Sequence, residues 1–399
     1  MVKKKILITS FDMAIGGVER SLIGLLNHID YNEYEVDIML FKHEGEFLPL
    51  LPPSSRLLNE VPQYTTFRYS IGQVFKKGFY QIGLTRLAAR SLSSIYGRVR
   101  NVSEPGYLNI QFGWELSSAF LPKFEEEYDV AIGFLWPHHF IGKKVKAKKR
   151  IGWIHTDYSN ITLNRRIETK MWQRLDYIVA VSEECRNHFL QNYPTFKKQT
   201  KVIENILSPD FIREQALIDK EIEINHSPEH TIIVTVGRLS HAKGLDIAIH
   251  ACKKLIDKGY QIRWYVIGYG SLESELKSII HELQMEEHFF LLGKKLNPYP
   301  YISACDIYVQ PSRYEGKAVT VREAQILGKP VVLSDFPTAK SQAVDGVDAL
   351  IVPQHPEGIA NGIEQLLGNE ALSSQLISNT LARDYGNADE INKLYSLIR

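Results

Sequence analysis

Two glutamates with seven residues between them, Glu315 and Glu323, stand where a β-branched run, Asp306-Ile307-Tyr308-Val309-Gln310, gives way to helical spacing. Gly316 lets the backbone turn closely, and the amides of Lys317, Ala318, Val319 and Thr320 open the helix, so its positive end attracts an anion such as a diphosphate. One turn into the helix, Glu323 can accept hydrogen bonds from ribose hydroxyls. Glu315, on the loop, can reach toward a sugar. The plain alternative is an acidic pair at a helix start, which the helix dipole favours anyway.

Other residues could share that chemistry. Arg238 and Lys243 follow the run 231–236, and two cations there can neutralise a phosphate or remain solvated charges at a helix start. Gly16 and Gly17 follow the first apolar run and could bring backbone close to a sugar or phosphate, or form only a turn. His155 ends the run 150–154; it is either a structural histidine or a ligand-facing one, and Asp157 could orient it or bind an acceptor. Gly268-Tyr269-Gly270 lacks the third glycine of a dinucleotide fingerprint, since position 273 is Glu273; a turn beside a diphosphate fits better. Lys294 and Lys295 either lie near a nucleobase or are solvated. No Asp-x-Asp pair is available to bridge Mg²⁺ and a diphosphate, so no metal or cofactor is expected.

The elements that must position these residues alternate between short β-branched runs and helical patterns, the signature of βαβ units and parallel sheets. The first half predicts strands at 5–9, 36–41, 130–134, 150–154, 177–181 and 201–204. The second predicts them at 231–236, 263–267, 289–292, 307–310, 330–333 and 349–352. Between the sets, 207–230 has no clear period and reads as a connection. The expected architecture is α/β: two doubly wound, Rossmann-like domains facing across a cleft, at 1–206 and 231–399, with the last helix able to pack back on the first. Such sheets bind ligands beyond the carboxyl ends of their strands.

The Glu315 to Glu323 region resembles the Glu-x7-Glu signature of the retaining glycosyltransferases of family 4, of the bacterial polysaccharide type, which have the GT-B fold. The similarity continues in Val236-Gly237-Arg238-Leu239 with Lys243-Gly244, and in Val266-Ile267-Gly268-Tyr269-Gly270. It extends to Gly16-Gly17-Val18-Glu19-Arg20 and Trp153-Ile154-His155-Thr156-Asp157. These motifs keep the family's order and cover most of the chain outside about 45–125.

The resemblance implies transfer of a hexose or N-acetylhexosamine from a nucleotide sugar, UDP-linked by expectation, to a hydroxyl of a glycan, with retained anomeric configuration. It implies that Arg238 and Lys243 clamp the leaving diphosphate and that Glu315 and His155 attend the sugar. Gly16, Gly17, Gly268, Gly270, Lys317, Ala318, Val319 and Glu323 would hold the donor. Many members have Gly-Phe-Gly where this chain has Gly316-Lys317-Ala318; Lys317 either meets the diphosphate or an acidic sugar, or points to solvent, and the sugar is left open. Two other functions remain in play. A nucleotide-sugar epimerase would convert donor alone, and a non-catalytic sugar-nucleotide-binding partner subunit would turn over nothing.

Composition sets the bounds. At 399 residues the chain has room for two or three domains, and 44% hydrophobic with 23% charged residues is the make-up of a globular protein with sizeable cores. Cys185, Cys252 and Cys305 are isolated and without metal-ligand spacing, so neither a disulfide framework nor a zinc site is indicated, which suits the cytosol. No run approaches the roughly 20 apolar residues of a membrane helix. Residues 1–205 hold 28 Lys+Arg against 21 Asp+Glu, and the excess gathers at 61–103, where Arg68, Lys76, Lys77, Arg86, Arg90, Arg98 and Arg100 meet no acidic residue. There Leu84, Leu87, Ala88, Leu92 and Ile95 recur at near-helical spacing. This is either a packed surface helix or a basic amphipathic one lying on the anionic inner face of the cell membrane, where a lipid-linked glycan would be met. Lys143, Lys144, Lys146, Lys148, Lys149 and Arg150 form a second cluster. Nucleic acid is not expected, because no aromatic interleaving accompanies the charge.

Overall fold

The computed structural model describes residues 3–100, 102, 105–159, 161–218, 222–225 and 227–399. The end of the basic segment, at 101 and 103, therefore lies outside the described residues. The chain divides into two compact units, one of residues 1–205 with 389–399 and the other of residues 206–388.

The first unit carries a parallel sheet of β1 (Lys4–Ser10), β2 (Tyr34–Leu40), β3 (Arg56–Leu57), β4 (Glu127–Gly133), β5 (Lys146–Ile154), β6 (Tyr177–Ala180) and β7 (Thr200–Val202). Its order is β3-β2-β1-β4-β5-β6-β7. The apolar run Ile6-Leu7-Ile8 that predicted β1 is buried on both faces, as a central parallel strand requires. The predicted set lacked β3, which is only two residues long and too short to show a period. Between β3 and β4 the chain is helical, with Tyr80–Val99 as its longest helix, packed on Gly106–Ser117. The last helix, Glu390–Ile398, buries Ile391, Leu394 and Leu397 in this unit, and its Tyr395 stacks on Tyr34 with ring centroids 5.2 Å apart.

The second unit has β8 (Thr231–Val236), β9 (Ile262–Ile267), β10 (Phe289–Leu291), β11 (Ile307–Gln310), β12 (Val331–Ser334) and β13 (Leu350–Val352), all parallel, in the order β10-β9-β8-β11-β12-β13. Alternate residues feed two cores. Ile233, Trp264, Val309 and Val332 face one, and Ile232, Val234, Tyr265 and Tyr308 the other. Helices therefore have to cover both faces. The stretch 207–230, expected as a connection, contains the helix Pro209–Ile218, whose Ile212 is buried in the second of these cores. Of its apolar residues only Ile212 is buried, and Leu217 and Ile218 are exposed, so its sequence shows no clean apolar face.

Candidate active site

In the second unit the winding reverses between β8 and β11: β9 and β10 continue to one side, β12 and β13 to the other. The loops leaving two such strands diverge and open a crevice at their carboxyl ends. Here the two loops are stapled together. Arg313 donates two hydrogen bonds to Asp246, Nη1 to Oδ1 at 2.8 Å and Nη2 to Oδ2 at 2.6 Å, and its backbone N–H donates to the Ala242 carbonyl at 2.7 Å. Gly244 has φ +60°, and a β-carbon there would lie 2.2 Å from the Pro311 carbonyl oxygen. Only glycine allows that approach.

The staple brings Lys243 and Glu315, 72 residues apart in sequence, into an ion pair. Glu315 Oε1 also accepts from Ser312 Oγ at 2.7 Å and from Gln310 Nε2 at 3.3 Å. Among the described residues every hydrogen bond to this carboxylate reaches Oε1 and none reaches Oε2. Beneath it the fully buried Gln310 donates to Ser312 Oγ at 2.8 Å and accepts from Tyr308 Oη at 2.9 Å and Thr320 Oγ1 at 3.1 Å. Thr338 Oγ1 donates to the Glu315 carbonyl at 2.9 Å, and Ser334 Oγ to that of Ser312 at 2.6 Å. Burial pushes the Tyr308 phenol well above its ordinary pKa, which keeps it a donor.

The helix Val319–Ile326 starts after Ala318, as expected, but its amides are not all open to an anion. The Ala318 N–H donates to Gln342 Oε1 at 3.0 Å. Gln342, just past the short 3-10 turn Ala339–Ser341, is a partner from a distant segment that local sequence does not reveal. Lys317 is buried, which removes the solvent alternative. Glu323 is also fully buried and accepts from Tyr299 Oη at 3.1 Å on Oε1, so one of its oxygens already carries a protein hydrogen bond.

Arg238 is exposed, and among the described residues its guanidinium makes no hydrogen bond or ion pair. Gly268 and Gly270 have a local reason to be glycine. A β-carbon at either would lie 1.8 Å from the Gly237 carbonyl oxygen or 2.2 Å from that of Leu239. The N–H groups of Gly237 and Leu239 donate to the Ile267 and Tyr269 carbonyls, both at 3.0 Å. The glycine turn thus seats the loop that carries Arg238. Lys294 lies over the Tyr269 ring at 4.8 Å and Lys295 pairs with Glu223.

Gly16, Gly17 and His155 belong to the first unit. Gly16 caps the helix Gly17–Asn27 in extended backbone, and a β-carbon there would lie 2.3 Å from Glu19 Oε2. His155, at the end of β5, packs on Phe134 with ring centroids 4.7 Å apart, and its buried Nε2 has no partner among the described residues. Desolvation pulls its pKa down to about 3 against a backbone hydrogen bond at Phe134, so the imidazole is neutral at physiological pH. His138 is held down to about 3 in the same way, fully packed over the paired glycines Gly133 and Gly152. Asp157 pairs through Oδ1 with His188 Nδ1 at 2.7 Å.

Residues 218–383 match the family model of the glycosyl transferases group 1. Similar curated proteins include two uncharacterized glycosyltransferases of Methanocaldococcus jannaschii. One is 26% identical over 41% of this chain and 40% of its own length, the other 24% identical over 71% and 77%. The N-acetylgalactosamine-N,N'-diacetylbacillosaminyl-diphospho-undecaprenol 4-alpha-N-acetylgalactosaminyltransferase of Campylobacter jejuni is 24% identical over 53% of this chain and 56% of its own length. Among solved structures, Anabaena HepE in complex with UDP and glucose superposes with a TM-score of 0.67 at 18% identity, covering 99% and 98% of the two chains. A mutant of Staphylococcus aureus TarM in complex with fondaparinux, alpha-GlcNAc-glycerol and UDP gives 0.67 at 14% identity, covering 99% and 100%. Residues 218–383 thus carry the similarity to the glycosyl transferases group 1, and the chain as a whole has the two-sheet α/β fold of the GT-B glycosyltransferases.

Proposed function

We propose that the chain transfers a hexose or N-acetylhexosamine from a UDP-sugar to a hydroxyl of a glycan acceptor, with retention of anomeric configuration and without a metal. The observation that carries this reading is the Lys243–Glu315 pair at the β8/β11 switch point, with Arg238, unpaired among the described residues, on the same loop as Lys243 and with Oε2 of Glu315 taking no bond from those residues. As the bond from the sugar C1 to the diphosphate breaks, negative charge develops on the β-phosphate. Lys243 and Arg238 are cations placed to neutralise it, the role a metal plays elsewhere. Glu315 Oε2 accepts from a donor-sugar hydroxyl, Glu323 takes the ribose, and the acceptor oxygen forms the new bond to C1 while its proton passes to the departing diphosphate. The UDP in the HepE and TarM complexes supports the base assignment.

A panel of nucleotide sugars, read as slow donor hydrolysis and as transfer to glycan acceptors, tests the reading, with Glu323→Ala as control and EDTA as a second arm. Hydrolysis of one UDP-sugar, lost in the variant and insensitive to EDTA, is expected. Interconversion of donor alone would make it an epimerase, and strict Mg²⁺ dependence would overturn the metal-free mechanism.

The acceptor in this reading is lipid-linked and met at the inner face of the cell membrane. No helix among the described residues is long and apolar enough to cross a bilayer. The helix Tyr80–Val99 instead leaves Leu84, Leu87, Leu92, Ile95 and Val99 exposed on one side, within a segment that has no acidic residue. An apolar stripe beside Arg90 and Arg98 suits an anionic bilayer surface. Flotation with anionic but not neutral liposomes is the expected result.

A further inference from the structure

The first unit contains a carboxylate that the transfer chemistry does not use. Glu168, on the helix Arg165–Trp172, is fully buried, and four donors converge on it. Its Oε1 accepts from Tyr158 Oη at 2.8 Å, Trp172 Nε1 at 2.9 Å and Trp136 Nε1 at 3.0 Å, and its Oε2 accepts from Gln111 Nε2 at 2.8 Å. Indole N–H groups can only donate, so the site requires an acceptor on the Oε1 side.

Two of those donors flank His155. Trp136 stands two residues after Phe134, the ring on which the His155 imidazole rests, and Tyr158 stands three residues after His155 itself. One carboxylate oxygen therefore holds both the loop leaving β4 and the loop leaving β5, the two strand-end segments that fix the imidazole and its unpartnered Nε2. The Gln111 amide on the other oxygen is fixed in turn, since its Oε1 accepts the Asn164 N–H at 2.7 Å.

We propose that Glu168 is a positioning residue for His155, clamping the β4 and β5 loops so that Nε2 keeps one direction. This rests on the glycosyl-transfer reading for its consequence, and on the hydrogen bonds alone for its geometry. In Glu168→Gln the amide oxygen keeps the Oε1 side while its N–H2 faces the Gln111 amide, so the clamp loses one hydrogen bond and the added strength of a charged acceptor while side-chain volume is kept.

The test uses the full chain. In side-chain ¹H–¹⁵N spectra, with the His155 signals identified by their loss in His155→Ala, Glu168→Gln is expected to shift or broaden the His155 ring signals; unchanged signals would overturn the proposal whether or not any donor is turned over. With a donor identified, Glu168→Gln is expected to lower kcat about tenfold with KM for the donor within twofold. In the His155→Ala background the same change should cost less than twofold further. Equal losses in both backgrounds would show that Glu168 does not act through His155. Tyr158→Phe, which removes one hydroxyl and keeps the ring, gives the same pattern in milder form and serves if Glu168→Gln does not fold. A wild-type chain that turns over no nucleotide sugar would sink the transfer reading and leave the spectroscopic result standing on its own.

Discussion

At the scale of single residues, the two oxygens of Glu315 differ. Oε1 is saturated by Lys243, Ser312 and Gln310, whereas Oε2 faces no protein donor among the described residues. Glu315→Gln keeps the shape but removes the counter-charge of a largely buried Lys243. Donor turnover is expected to fall by about two orders of magnitude, of the size seen when one charge-stabilising group is lost; a loss under threefold would contradict the role. Gln310→Leu acts differently, because it strands the buried donors of Tyr308 and Thr320 without touching a ligand. It should cost about 1–3 kcal/mol in urea unfolding, the penalty of buried polar groups left unpaired. Charge made part of the site legible in the sequence: Glu315, Lys243 and Arg238 are ionic residues at loop positions, where ligand groups gather. Gln310 gave no such signal, since an amide ending an apolar strand looks like a strand boundary. Its partners come from Thr320 and, through Ser312, from the loop ahead, and only the fold brings them together.

At the scale of elements, adjacency of β8 and β11 turns two unremarkable loops into one site, and the glycine turn after β9 braces it. Gly268 and Gly270 could be read from sequence as a ligand turn because glycine next to a strand end serves both uses. The space supplies a packing reason as well, for the backbone of Gly237 and Leu239 lies where a β-carbon would go. Gly270→Ala would set a β-carbon 2.2 Å from the Leu239 carbonyl oxygen, so the Arg238 loop has to move. We expect a loss of about 1–3 kcal/mol in thermal or urea unfolding, as overpacking costs, together with weaker donor binding. A variant as stable as wild type would show that the turn is slack. The helix Tyr80–Val99 was legible from its apolar spacing, but which face is exposed was not, since that depends on packing against Gly106–Ser117. Leu84 and Ile95 are each 60% exposed, so Leu84→Glu with Ile95→Glu leaves the folded core intact. The pair should abolish flotation with anionic liposomes without lowering the unfolding midpoint; flotation that persists would remove the membrane-facing assignment.

At the scale of the whole molecule, twelve of the described strands, edges included, could be read from their β-branched runs, while the two-residue β3 was too short to show one. The assignment of residues 389–399 to the first unit is a long-range packing outcome with only apolar spacing in the sequence to hint at it. Packing also fixes the acid response. His138 and His155 both have their pKa pulled down to about 3 by burial in the first unit, and His139 is lowered for the same reason. An unfolded histidine takes up its proton near pH 6.5, so between about 6.5 and 3 the unfolded chain binds more protons than the folded one. Stability is therefore complete above that window and falls as pH drops through it, by up to about 1.4 kcal/mol per pH unit for each such histidine. Glu168 works in the opposite sense: burial raises its carboxyl pKa against the hydrogen bonds it accepts, so the loss is partly offset toward the acid end. Tryptophan fluorescence reports mainly on this unit, since Trp114, Trp136, Trp153 and Trp172 lie in it and only Trp264 lies in the other. Urea unfolding followed by that signal should lose on the order of 2 kcal/mol between pH 6.5 and 5. Stability that stays flat across this interval would mean that the two imidazoles are reached by water and are not held neutral by the fold.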